Sequence, residues 1–168
     1  MRHLYPATLL SAFLALAPSL AIAQSPPAPS APPVTPYGAP ITLDAAKKIM
    51  AAAEAEADKN KWPMAIVILD STGHMVMMHK IDNTQYGSIL AAEAKAVSAI
   101  NYRRSTKVFE DLVAQGGIGL RTLQLPSASP IEGGLPIVVD GKVVGAIGVS
   151  GGTAPQDGQV AAAGLTAK

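Results

Sequence analysis

Apolar residues fall along this chain with two different periods. From Leu43 to about Asn60 they occupy Leu43, Ala46, Ile49, Met50, Ala53 and Ala57, the three-and-four spacing of one helix face. Thr42 stands before that run as an N-cap, and Asp44 lies in the first turn, where the helix dipole favours negative charge. Met64 to Leu69 (MAIVIL) is a short, wholly apolar run rich in β-branched residues. It predicts a strand buried on both faces. Asp70-Ser71-Thr72-Gly73 is turn chemistry, so His74 to Lys80 is the returning strand of a hairpin, left through polar Asp82-Asn83-Thr84.

Ser88 to Tyr102 is dominated by alanine and predicts a helix by propensity, small enough in side chain for another backbone to come close. Ser105-Thr106 caps a second helix with Val108, Leu112 and Val113 on its apolar side, ended by Gly116-Gly117. Leu135–Val139 and Lys142–Val149 flank Asp140-Gly141, the strongest short-range hairpin signal. Gly145 and Gly148 inside the second of these strands predict close approach of a helix or a ligand. Gln156 to Thr166 reads as a terminal helix. Two hairpins separated by helices predict one α+β domain: an antiparallel sheet from two hairpins, flanked by helices.

The first 40 residues follow neither period. Arg2 and His3 precede an apolar run from Leu9 to Leu20, then Ala21-Ile22-Ala23, the pattern of an export signal cleaved before Gln24. The run is too short to span a bilayer, and no later stretch reaches that length. Gln24 to Pro40 holds seven of the 14 prolines and reads as a disordered tether, leaving residues 41–168 as the domain. The expected location is periplasmic or extracellular. With 13 basic and 12 acidic residues, the formal charge of +1 gives no footprint for nucleic acid. The absence of cysteine excludes a disulfide framework, a thiolate nucleophile and Cys-ligated metal centres.

Candidate chemistry concentrates in His74-Met75-Val76-Met77-Met78-His79. Strand alternation places Met75, Met77 and His79 on one face. Methionine and histidine suit copper, and His holds haem iron, although methionine is also the usual filler of irregular cores. Lys80 and Asp82 stand two apart at the strand exit, as a solvated charge pair or the edge of a pocket. The glycines of Gly141–Gly152 match neither a P-loop nor a G-x-G-x-x-G turn, and Ser150 is not in a G-x-S-x-G elbow. No catalytic constellation is visible, so an enzyme is not indicated.

Taken together, L-D-A-A-K-K-I (Leu43–Ile49), V-I-L-D-S-T-G-H-M-V (Val67–Val76), K-I-D-N-T (Lys80–Thr84), A-A-E-A-K-A-V-S-A (Ala91–Ala99), the long stretch from Glu132 to Gly152 and Q-D-G-Q-V-A-A-A-G-L (Gln156–Leu165) resemble the GlcG/HbpS family. That family is also found as the C-terminal domain of some cobalamin adenosyltransferases. The resemblance covers residues 41–168 and implies a profilin-like α+β domain, a homo-oligomer (often an octamer) and, in several members, bound haem. Some exported members work with a membrane sensor in haem handling or redox sensing, and others belong to metabolic operons without catalysis of their own. Carried onto this chain, the usual R-M-D-G is Lys80-Ile81-Asp82-Asn83, the usual K-A-x-T-A is Lys95-Ala96-Val97-Ser98-Ala99, and the usual D-E is Asp157-Gly158. The expected ligand is haem, with His79 as the iron ligand, Lys80 or Arg103 meeting the propionates, and Asp82 and Ser98 as further contacts. The alternative is copper on Met75, Met77 and His79.

Overall fold

The computed structural model describes residues 34–167. The stretch read as an export signal and the part of the proline-rich segment before Val34 lie outside the described residues.

Helix α1 spans Leu43–Asn60, opened by Thr42, whose Oγ1 accepts the Ala45 N–H at 3.2 Å. It ends where Lys61 turns left-handed at φ 59° and Trp62 N–H returns to Ala57 O at 3.0 Å. Strand β1 (Ala65–Asp70) follows, with Ala65 to Leu69 fully buried, as a strand covered on both faces requires. Asp70 Oδ1 accepts the backbone N–H groups of Thr72 (2.8 Å) and His74 (3.2 Å), folding the turn into β2 (Met75–Lys80). Helix α2 (Gly87–Tyr102) and helix α3 (Thr106–Ala114, capped by Ser105 Oγ) lead to β3 (Gly134–Val139) and β4 (Lys142–Ser150). Asp140 and Gly141 both take positive φ (48° and 69°), the geometry that a two-residue hairpin turn needs. Helix α4 (Ala154–Gly164) closes the domain.

The four strands form one antiparallel sheet in the order β2-β1-β4-β3. The α+β class and the two hairpins read from the sequence are therefore correct. Ile66, Ile68, Ile147 and Val149 bury one sheet face against α1 and α4. Ala65, Val67, Leu69 and Ala146 bury the other against Ala92, Ala96, Ala99 and Ile100 of α2. The alanines matter because α2 lies almost on the sheet: a Cβ at Gly148 would collide with Ala92 O and stand 2.6 Å from Ala96 N. The helix, not a ligand, is what approaches Gly148.

Gly116-Gly117 follows the end of α3 as expected, and a 3₁₀ helix not foreseen then runs from Gly117 to Gln124. Two boundaries differ from expectation. Helix α4 starts two residues early, because Thr153 and Gln156 form a capping box and Pro155 fits the first turn. The end of the stretch read as tether lies on the domain. Pro36 O accepts Val143 N–H and Gly38 N–H donates to Val143 O (2.8 Å each), extending the sheet by a parallel bridge at Tyr37. Tyr37 OH donates to Ile100 O at 2.8 Å. Gly38 N–H and the Tyr37 hydroxyl are the donors that dock this end, and Thr35 O and Pro36 O are its acceptors.

Candidate functional site

The richest predicted segment, β2, is an edge strand whose outer side carries no partner strand among the described residues. Its register with β1 shifts between Ile68 and Leu69. Met77 opposes Ile68 and His79 opposes Ile66, so both face α1. After the bulge, Met75 opposes Leu69, whose side chain belongs to the α2 side. The bulge thus splits the expected Met75/Met77/His79 face. Met77 is packed against the core cluster while Met75 is exposed. The copper expectation loses its ligand set for that reason, and among the described residues no three His, Asp or Glu side chains come together as a metal site.

His79 keeps a chemically useful arrangement. Its Nδ1 is 2.7 Å from Glu54 Oε1 on α1, and both side chains are part-exposed. A carboxylate on Nδ1 fixes the ring and selects the tautomer in which Nε2 carries the free lone pair, the arrangement found behind metal-ligating histidines. One helical turn from Glu54, Asp58 enters a cleft of about 280 Å³ lined also by Lys61, Trp62, Pro63, Ile81, Asp82 and Asn83. Of the expected residues, His79 meets α1 at Glu54 and Asp82 lines the separate cleft at the end of α1. Lys80 lies between them in sequence and is exposed at the strand end.

Asn83 has φ 64°. The position where the family usually has glycine is thus left-handed here. Asparagine is the next residue to tolerate that conformation, so the substitution preserves the backbone and adds an amide to the cleft.

The remaining expected contacts are elsewhere. Ser98 is buried, its Oγ accepting the Ser129 N–H at 3.0 Å, so it holds the 125–131 loop against α2. Arg103 is at the C-cap of α2, donating to Thr35 O at 3.2 Å with its guanidinium 4.9 Å from the Tyr37 ring centre. It pins the entering chain and is on the α2 side of the sheet, away from His79. The propionate role given to Arg103 has no geometric support.

Sequence reasoning did not pair the two buried charged groups of the described residues. Lys95 of α2 and Asp157 of α4, each 2% exposed, meet with Nζ 2.6 Å from Oδ2. Lys95 Nζ also donates to Val149 O at 3.0 Å, and Asp157 Oδ1 accepts the Gly152 N–H at 3.0 Å. Burial pushes the Asp157 carboxyl above its ordinary range, more than the Lys95 ammonium and the Gly152 N–H pull it down. Gly133 roofs the pair at φ 127°; a Cβ there would lie 2.6 Å from Val149 O and 2.9 Å from Lys95 Nζ. This cluster ties α2 on one face of the sheet to α4 on the other, at the end of β4. Its only advance signal was the separate appearance of Lys95 and Asp157 in motifs 62 residues apart.

Residues 41–166 match the family described as "Haem degrading protein HbpS-like". The chain belongs to this HbpS-like family. Escherichia coli (strain K12) protein GlcG is 40% identical over 105 residues, 62% of this chain and 77% of GlcG. Among solved structures, Klebsiella pneumoniae protein ORFY superposes with a TM-score of 0.71 at 28% identity, covering 82% of this chain and 97% of that one. A double mutant of Streptomyces reticuli HbpS gives 0.69 at 28% identity, with the same coverage of both chains. The HbpS-like match leaves out Val34–Pro40, which in this chain is nonetheless docked on β4 and α2.

Proposed function

We propose that this HbpS-like chain is an exported, homo-oligomeric haem-binding protein, with His79 Nε2 as the iron ligand. The observation that carries the reading is the His79–Glu54 pair: an imidazole on an exposed edge strand, its Nδ1 engaged by a carboxylate at 2.7 Å. The family's description as haem degrading supports the choice of ligand. Bound haem would supply an iron centre able to change oxidation state and an intense absorption band. The protein's part is to hold the ring nitrogen still. Glu54 accepts the Nδ1–H and raises the basicity of Nε2. Ala51, one turn before Glu54 on α1, is small and exposed, which favours a flat ligand on that helix face. Lys80, in no ion pair with the described carboxylates, is the available cation for a propionate. The export signal supports delivery outside the cytoplasm, and strongly exposed apolar residues such as Tyr86, Leu90 and Ile118 support self-association.

A haemin titration of the full chain, read by absorbance, tests the reading. Saturable binding in the wild type that is lost in His79→Ala and weakened about tenfold in Glu54→Ala, as for outer-shell partners generally, is the expected result. Unchanged binding in His79→Ala would move the ligand elsewhere and remove the proposed site. No saturable binding by the wild type would end the haem reading.

A further inference from the structure

The cleft beyond His79 has its own chemistry. Its walls come from the end of α1 and the exit of β2. At one side, the left-handed Lys61 turns the chain so that Trp62 and Pro63 follow immediately. At the other, Thr84 N–H and Oγ1 both donate to Ile81 O (3.2 and 2.6 Å), folding Ile81–Thr84 into a tight turn that presents Asp82 and Asn83. The cleft thus combines an indole and aliphatic carbon with two carboxylates, Asp58 and Asp82. Among the described residues the ion pairs are Lys59–Glu56, His79–Glu54, Lys95–Asp157 and Lys107–Asp111, so neither cleft carboxylate has a cationic partner. Lys61 lines the same space but makes none of these pairs, and the two carboxylates outnumber it.

An aromatic wall with unpaired carboxylates favours one class of ligand. Two carboxylates and an amide are fewer protein oxygens than a dedicated calcium cage takes, and among the described residues no three acidic or histidine side chains come together as a metal site. An organic anion would meet two like charges. An organic cation finds carboxylate partners, and its carbon part covers the apolar wall of Trp62, Pro63 and Ile81. We propose that this cleft binds a small organic ammonium ion, held between Asp58 and Asp82 with Trp62 and Ile81 against its carbon skeleton. The site is separate from the His79 imidazole and does not depend on haem binding.

Trp62 is the sole tryptophan of the chain, so intrinsic fluorescence reports on this cleft directly. The probe is choline, titrated into the full chain beside its uncharged carbon isostere 3,3-dimethylbutan-1-ol. The expected result is a saturable change with choline at a dissociation constant of about 1 mM or tighter, with the neutral isostere at least about tenfold weaker. Asp58→Asn and Asp82→Asn, both at exposed positions, should each weaken choline about three- to tenfold, as loss of one ionic partner predicts. Lys61→Ala should tighten it, by removing a competing cation. An equal response to both compounds would show an apolar crevice without cation selectivity and overturn the proposal. So would the absence of a saturable change up to about 10 mM choline, or choline binding unaffected by either Asn variant.

Discussion

Lys95 and Asp157 illustrate how one pair of side chains commits a fold. Each charge is removed from water, and each is acceptable only because the other is within 2.6 Å. Removing one partner should therefore cost more than removing both. Lys95→Met is expected to lose about 3–5 kcal/mol in urea unfolding, since it strands a buried carboxylate. Lys95→Met with Asp157→Asn should recover part of that loss, because the neutral amide no longer needs a cation. If the double variant is as unstable as the sum of the two singles, the pair is not acting as a pair. Asn83 makes a different point at the same scale: a change that reads as a lost family glycine leaves the left-handed backbone in place. Asn83→Gly should leave stability within about 0.5 kcal/mol, whereas a β-branched Asn83→Val should cost about 1–2 kcal/mol through the strained φ, both measurable by thermal unfolding.

At the scale of elements, contacts between neighbours decide more than propensity does. Helix α2 is alanine-rich not merely to be helical but to let β4 pass beneath it at Gly148. Gly148→Ala should accordingly cost about 3 kcal/mol, the upper end for overpacking, because the methyl meets backbone rather than a movable side chain. Helices α1 and α4 are joined at the surface by Gln159, whose amide donates to Glu56 Oε1 at 2.6 Å. That bond, with the Asn60 amide and Lys59, holds the Glu56 carboxyl below its ordinary value of 4.5. A depressed acid stabilises the fold above its unfolded value and loses that contribution as pH falls through the folded one. The melting-temperature advantage of the wild type over Glu56→Ala should therefore be present at neutral pH and disappear well below pH 4.5. An advantage that persists in acid would mean that packing, not charge, links the two helices.

The whole molecule presents apolar surface that a lone domain does not need. Tyr86 and Leu90 are 86% and 72% exposed at the start of α2, and Ile118 and Leu123 are 76% and 57% exposed on the 3₁₀ segment. If these cover one another between copies, the wild type should scatter light as a multiple of 17.2 kDa, and Leu90→Asp should shift it to a smaller species. A wild type that is monomeric at all concentrations would remove the oligomer from the proposed function.

The local pattern alone determined the elements: the Thr42 cap, the MAIVIL strand, the alanine helix and the Asp140-Gly141 turn are short-range chemistry, so they were legible residue by residue. It also placed His79 and Asp82 near the end of one strand. Only the tertiary structure decided what those residues meet. Strand alternation could not foresee the bulge that turns Met75 away, because a bulge is fixed by how β1 and β2 pair. Nor could spacing reveal Glu54 behind His79, Thr35 beneath Arg103 or Asp157 against Lys95, partners 25, 68 and 62 residues away in the chain. Periodicity reports which face of an element is apolar; which polar groups meet across elements is set by how the layers stack, and that information exists only once the sheet has been covered on both sides.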